Sequence, residues 1–94
     1  MRGLLLIPLL ALSLNAFASD ILRVGQQVLS VGDTAVHTLD LLGMPAYKEP
    51  VENTFGAYQG ERWQYSREQG HVVVVTIIAG KVAAIEDHIE EHHG

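Results

Sequence analysis

The sequence predicts an α+β domain, with one short helix packed on a small antiparallel sheet of three to four strands in two layers. Three observations predict it. Between Asp33 and Gly43 the apolar residues Ala35, Val36, Leu39 and Leu42 recur at helical spacing. From Arg62 to Ser66 apolar and polar residues alternate, which puts Trp63 and Tyr65 on one face of a strand. From His71 to Ala79 the chain is dense in β-branched residues, then turns at Ala79-Gly80-Lys81 and returns over Val82 to Ile85.

Residues 1–18 read as an export label. Arg2 precedes an apolar run from Leu4 to Leu14, and the run ends at Asn15-Ala16-Phe17-Ala18, with small residues at the two positions a signal peptidase reads. The run is broken by Pro8 and is shorter than the roughly 20 residues a membrane span needs. A short anchor that stays uncleaved is the alternative. The chain has no cysteine, which excludes a lipid-anchored cysteine, a disulfide and a thiolate metal site. Cleavage before Ser19 would leave 76 of the 94 residues and a soluble periplasmic protein with no stable membrane anchor. The expected division is a signal peptide over 1–18, a single domain over 19–87 and a polar, His-rich tail over 88–94.

Within the domain, Asp20 to Val31 predicts a short strand bent or bulged at Gly25. Asp33 is the expected N-cap of the helix, Gly43 its left-handed C′ residue, and Pro45 prevents it from resuming. Ala46 to Glu52 is expected to be extended, and Pro50 confines it to a sheet edge. Asn53 to Gly60 reads as a loop, Glu68-Gln69-Gly70 as a turn, and Glu86 to Gly94 as a polar tail. Without Arg2 the domain carries five basic against eleven acidic side chains, a balance that repels phosphate backbones and anionic lipid. Nucleic acid is therefore not an expected partner.

Both faces of the His71–Ala79 strand are apolar. Val73, Val75 and Ile77 form one row; Val72, Val74 and Ile78, with Thr76 among them, form the other. One helix covers one row. Either the N-terminal strand or the long loop covers the second, or that row meets another protein or a second copy of this one, since a bare uncharged strand is an aggregation hazard. Phe55 and Tyr58 in the loop extend this candidate interaction surface of Val72, Val74, Thr76 and Ile78.

Arg23-Val24-Gly25, Leu29-Ser30-Val31-Gly32-Asp33-Thr34, Leu42-Gly43-Met44-Pro45, Glu61-Arg62-Trp63-Gln64-Tyr65 and Ala79-Gly80-Lys81-Val82 to Ile85 together resemble a family of small exported bacterial proteins of unknown function. That family carries an R-C-G…L-V-x-x-G-D-S…C-G-E-P…E-R-W-x-Y…G-K-[LV]-x-x-I pattern. The outline is also similar, more distantly, to the BamE/SmpA group of outer-membrane assembly proteins, which implies a BamE-like fold. Where the first family has its cysteines this chain has Val24 and Leu42. The resemblance implies a disulfide between those positions in the family, and here an apolar contact of Val24 with Leu42. Burying the two side chains is worth about 1.5–3 kcal/mol each, comparable to the roughly 2–4 kcal/mol of a disulfide.

No nucleophile elbow, phosphate loop or opposed carboxylate pair is evident, so no catalytic residue is assigned and no enzyme is expected. No cofactor is expected. Trp63 and Tyr65 are core anchors, the alternative being an aromatic ligand patch with Tyr47, Phe55 and Tyr58. Val24, Asp33, Leu39, Leu42, Gly43, Pro45, Trp63 and Tyr65 are the expected structural residues. Two functions follow. The first is a non-catalytic periplasmic interaction module of the cell envelope, whose partner is another envelope protein or itself. The second is a periplasmic metal-binding protein using His88, His92 and His93; on a helical tail His88 and His92 would lie one turn apart.

Overall fold

Gly25, with φ of 63°, turns the chain back on itself rather than bending a single strand. In the computed structural model, which describes residues 16–89, β1 (Ala16–Ser19) is followed by a hairpin of β2 (Ile21–Val24) and β3 (Gln27–Ser30), the helix α1 (Ala35–Leu42), β4 (Tyr47–Glu52), β5 (Tyr58–Ser66), β6 (His71–Ile78) and β7 (Lys81–Ile89). About 60% of the described residues are in strands. The main sheet is antiparallel, with five strands in the order β1-β7-β6-β5-β4, and β2-β3 forms a separate two-stranded sheet. This corrects the expected α+β, BamE-like fold with three to four strands: the described residues form a β-rich structure with one short α-helix. The strands not expected are β1, at one edge of the main sheet, and the second strand of the β2–β3 hairpin. Ala16–Ser19, which spans the expected cleavage point, pairs with the outer edge of β7. Tyr47–Glu52 pairs with β5 as the opposite edge, the position to which Pro50 is expected to confine it.

The last strand also runs further than its polar sequence suggests. Glu86, Asp87, His88 and Ile89 pair with Val74, Val73, Val72 and His71 of β6, so the strand continues past the expected domain boundary at residue 87. Their weak β-propensity is overridden by a strongly β-forming neighbour on one side and β1 on the other.

The helix begins one residue later than expected. Thr34 is the N-cap, its Oγ1 accepting from the His37 N–H at 3.0 Å. Asp33 instead accepts from the Ser30 N–H at 2.8 Å, which closes the turn between hairpin and helix. Three backbone bonds then fasten this turn to the β6–β7 turn: Gly32 N–H to Val82 O, Ala35 N–H to Gly80 O and Val82 N–H to Asp33 O, at 2.7–2.8 Å. Gly43 ends the helix, with φ of 80° and its N–H on Leu39 O, but as the C-cap itself and with ψ of −162° rather than as a left-handed C′ residue. The stripe turned to the core is Ala35, Thr38, Leu39 and Leu42, of which Thr38 is buried and the others partly buried, rather than one containing Val36. Val36 is 67% exposed, while Thr38 is fully buried with its hydroxyl donating to Thr34 O at 3.1 Å. The i, i+3, i+4, i+7 spacing from Ala35 selects position 38, and the back-bond makes a threonine acceptable there.

The core lies on one face of the main sheet. Trp63, Tyr65, Val73, Val75, Ile77, Val82 and Ile85 pack beneath Leu29 of the hairpin, with Leu22, Ala35, Leu39, Leu41 and Leu42 around them. Trp63 and Tyr65 are thus core anchors. Trp63 Nε1–H donates to Glu61 Oε1 at 2.7 Å, and Lys48 stands 5.3 Å above its ring. Tyr65 Oη–H donates to the Gly43 carbonyl at 3.0 Å and so pins the C-terminal end of the helix to the sheet. Val24 and Leu42 both line a cavity of about 290 Å³ beside Tyr65.

Burial pushes the Tyr65 phenol from 10.0 up to about 12, because the phenolate is poorly solvated there. The folded pKa is raised, so the contribution of the neutral phenol is fully present below pH 10 and is lost as pH rises toward 12. Tyr65→Phe is expected to cost about 1 kcal/mol at neutral pH through the missing hydrogen bond. Denaturant unfolding of both proteins across that window should show the difference shrinking as pH rises. A constant difference would mean that Tyr65 titrates as it does in the unfolded chain.

Candidate interaction surface

Because side chains alternate along a strand, burial of Val73, Val75 and Ile77 under the helix and hairpin turns Val72, Val74, Thr76 and Ile78 to the other face. All four are half-buried, and neither the hairpin nor the long loop lies over them: the hairpin packs on the core side, and the loop extends from the β4–β5 end. β1 adds to the edge of the sheet, not to its face. The cross-strand neighbours complete the surface. Val74 sits between Gln64 and Glu86, Thr76 between Arg62 and Ala84, and Val72 between Ser66 and His88. Tyr47 and Glu49 pair with Gln64 and Arg62 and continue the face toward the β4 edge. Tyr47 is 58% exposed. The result is an apolar strip along β6 flanked on both sides by polar and charged side chains.

Phe55 and Tyr58 occupy the far end of the β4–β5 hairpin. The turn is closed by hydrogen bonds of the Asn53 side chain. Asn53 Oδ1 accepts from the N–H groups of Phe55 at 2.8 Å and Ala57 at 3.0 Å, and Gly56 supplies φ of 82°. Phe55 is 92% exposed on this tip, and Tyr58 64%. A large apolar side chain held so far into solvent by an ordered turn has no role in the core. The sequence placed Phe55 in a loop; the asparagine-centred turn that fixes it was readable from Asn53 and Gly56.

Of the three histidines expected to bind metal, only His88 lies among the described residues. His88 lies in β7, not on a helix, and its Nε2 is 3.1 Å from Glu86 Oε1. His92 and His93 lie outside the described residues. Among the described residues, no group of three or more His, Asp or Glu side chains is placed to hold a metal ion.

A second concavity was not anticipated. The β2–β3 hairpin, Ser19, the Arg67–Gly70 turn and the ends of β6 and β7 border an open cavity of about 460 Å³. It is lined by Arg23, Arg67, Glu68, His71 and Asp87 over an apolar floor of Leu22, Val73 and Ile85. Asp87 Oδ1 accepts from His71 Nδ1–H at 2.9 Å, the carboxylate being able only to accept. Arg67 Nη1 is buried and has no hydrogen-bond partner. Sequence reasoning missed this cavity because its walls come from segments more than forty residues apart.

Among the described residues, no helix is long and apolar enough to cross a membrane. Comparisons with protein-family models, curated proteins and solved structures found no match to this chain.

Proposed function

We propose that this protein is an exported, non-catalytic interaction module of the cell envelope, and that the open face of its main sheet receives another envelope protein. The observation that carries the reading is the position of Val72, Val74, Thr76 and Ile78 on the side of β6 opposite the helix and hairpin. A sheet face with an apolar strip along β6 and a largely polar border matches the anatomy of a protein interface, with an apolar centre and a polar rim. The ordered, protruding Phe55 adds an aromatic contact of the kind that anchors such interfaces. Export is supported by the charge, length and small-residue pattern of residues 1–18, and by the resemblance to small exported proteins.

Site-specific photocrosslinking from Thr76 in intact cells tests the reading. A heterologous product of reproducible mass is expected in the envelope fraction. Val74→Asp, on the same face, should abolish that product while changing stability by only about 1 kcal/mol. A product of twice the chain's own mass alone would give the face to a second copy. Recovery of the protein in the cytosol, or no product from Thr76, would overturn the proposal.

A further inference from the structure

The cavity between the β2–β3 hairpin and the Arg67–Gly70 turn has the composition of a ligand site that the open sheet face does not use. Two cations, Arg23 and Arg67, and two carboxylates, Glu68 and Asp87, line the same space. Among the described residues, no arginine comes within 4.0 Å of a carboxylate, and the ion pairs present are all made by histidines. Opposite charges that share one cavity without touching leave room for groups of opposite charge between them. Arg67 is the more telling of the two. Its Nη1 is buried with no acceptor, so no carboxylate holds the guanidinium, and the part of Arg67 that lines the cavity remains open to an anion. One carboxylate is already oriented: Asp87 holds His71 through Oδ1, which leaves Oδ2 free to accept. Between the charges, the floor of Leu22, Val73 and Ile85 is apolar.

The geometry points to a binding site for a small zwitterion with an apolar side chain, either a free aliphatic amino acid or a short aliphatic peptide. Its carboxylate meets Arg67 and Arg23, its ammonium meets Asp87 and Glu68, and its side chain lies on Leu22, Val73 and Ile85. A cavity of about 460 Å³ falls within the range of small-molecule sites and holds one such residue with room for a second. An anion alone would leave the two carboxylates facing it, and a cation alone would leave the two arginines; only a ligand bearing both charges answers all four.

Amide chemical shifts of Val73 and Ile85 report on the floor during titration of the purified protein with leucine, leucyl-leucine, hexanoate and pentylamine. Leucine or leucyl-leucine is expected to move these resonances, with hexanoate and pentylamine at least about tenfold weaker, the loss expected for one charge-assisted contact. Tighter leucine binding assigns the free amino acid, and tighter dipeptide binding assigns a peptide. Arg67→Met should weaken the better ligand by about tenfold or more. Arg23→Met, at an exposed rim position, should weaken it in the same direction and decides the matter if Arg67→Met fails to fold. Hexanoate binding as tightly as leucine, no shift from either zwitterion at about 10 mM, or unchanged affinity in the folded arginine variants would overturn the inference. The Thr76 crosslink is read on the opposite face and is independent of all these outcomes.

Discussion

Gly60→Ala is expected to be the most damaging methyl addition in this protein. Gly60 is buried on β5 opposite Ile78, and a Cβ there would stand 1.9 Å from the Ile77 carbonyl oxygen, 2.9 Å from its carbon and 3.0 Å from Ile78 Cα. All three are backbone atoms of β6, so no side-chain rotation relieves the overlap. Either β5 and β6 separate, which breaks the ladder that carries Trp63 and Tyr65, or the whole end of the sheet shifts. The cost should exceed about 3 kcal/mol, the upper part of the range for overpacking a tight interior. A domain of this size has a total stability of about 4–11 kcal/mol, so a large fraction of it is lost. Urea unfolding followed by Trp63 fluorescence measures the change. Gly56→Ala gives the contrast: Gly56 has φ of 82° but open space around its would-be Cβ, so only backbone strain of about 1 kcal/mol is expected. Equal midpoints for the two variants would show that β5 and β6 are not held as close as the structure places them.

Leu29→Ala should be of similar size but more local. Leu29 is fully buried and is the one residue of the β2–β3 hairpin in the buried core. Truncating a buried leucine costs about 2.7–5 kcal/mol, depending on how far the site can collapse. Here collapse is limited, because the residues below it belong to the main sheet and those around it to the hairpin and helix. The expected result is release of the hairpin with the five-stranded sheet retained. Hydrogen exchange should accelerate at Ile21–Ser30 and at the Gly32 N–H bonded to Val82, and much less along β5 and β6. Leu29→Met should cost under about 1.5 kcal/mol. Uniform acceleration through the sheet would mean that hairpin and sheet unfold as one unit.

The legible parts of the fold were those with a strong period and a strong stop. β6, the alternation of Trp63 and Tyr65, Gly43 at the helix end and Pro50 at an edge all follow from local residues. The rest was decided by neighbours. Glu86–Ile89 is a strand because β6 and β1 flank it, which no local propensity reveals. Asp33 and Thr34 are both competent caps, and the bond from Ser30 N–H to Asp33 settles which one serves. Gly25 served as well for a bulge as for a hairpin turn until β2 and β3 were seen to pair. The open row on β6 was readable because apolar residues at both parities leave one set in excess. The charged cavity was not, since Arg23, Arg67 and Asp87 come from three separate segments, each with an ordinary surface reading.

If the protein is exported and processed as proposed, the pairing of Ala16–Ser19 with Ile85–His88 bears on its maturation. If the leader is removed after Ala18, three of the four β1 residues leave with it, and β7 passes from an interior strand to the rim of the sheet. Main-chain donors and acceptors beside Glu86, Asp87 and His88 then lose their partners at the moment of processing. The precursor would carry its own temporary plug, and proteolysis would deliver to the envelope a molecule with a vacant rung for an incoming extended segment.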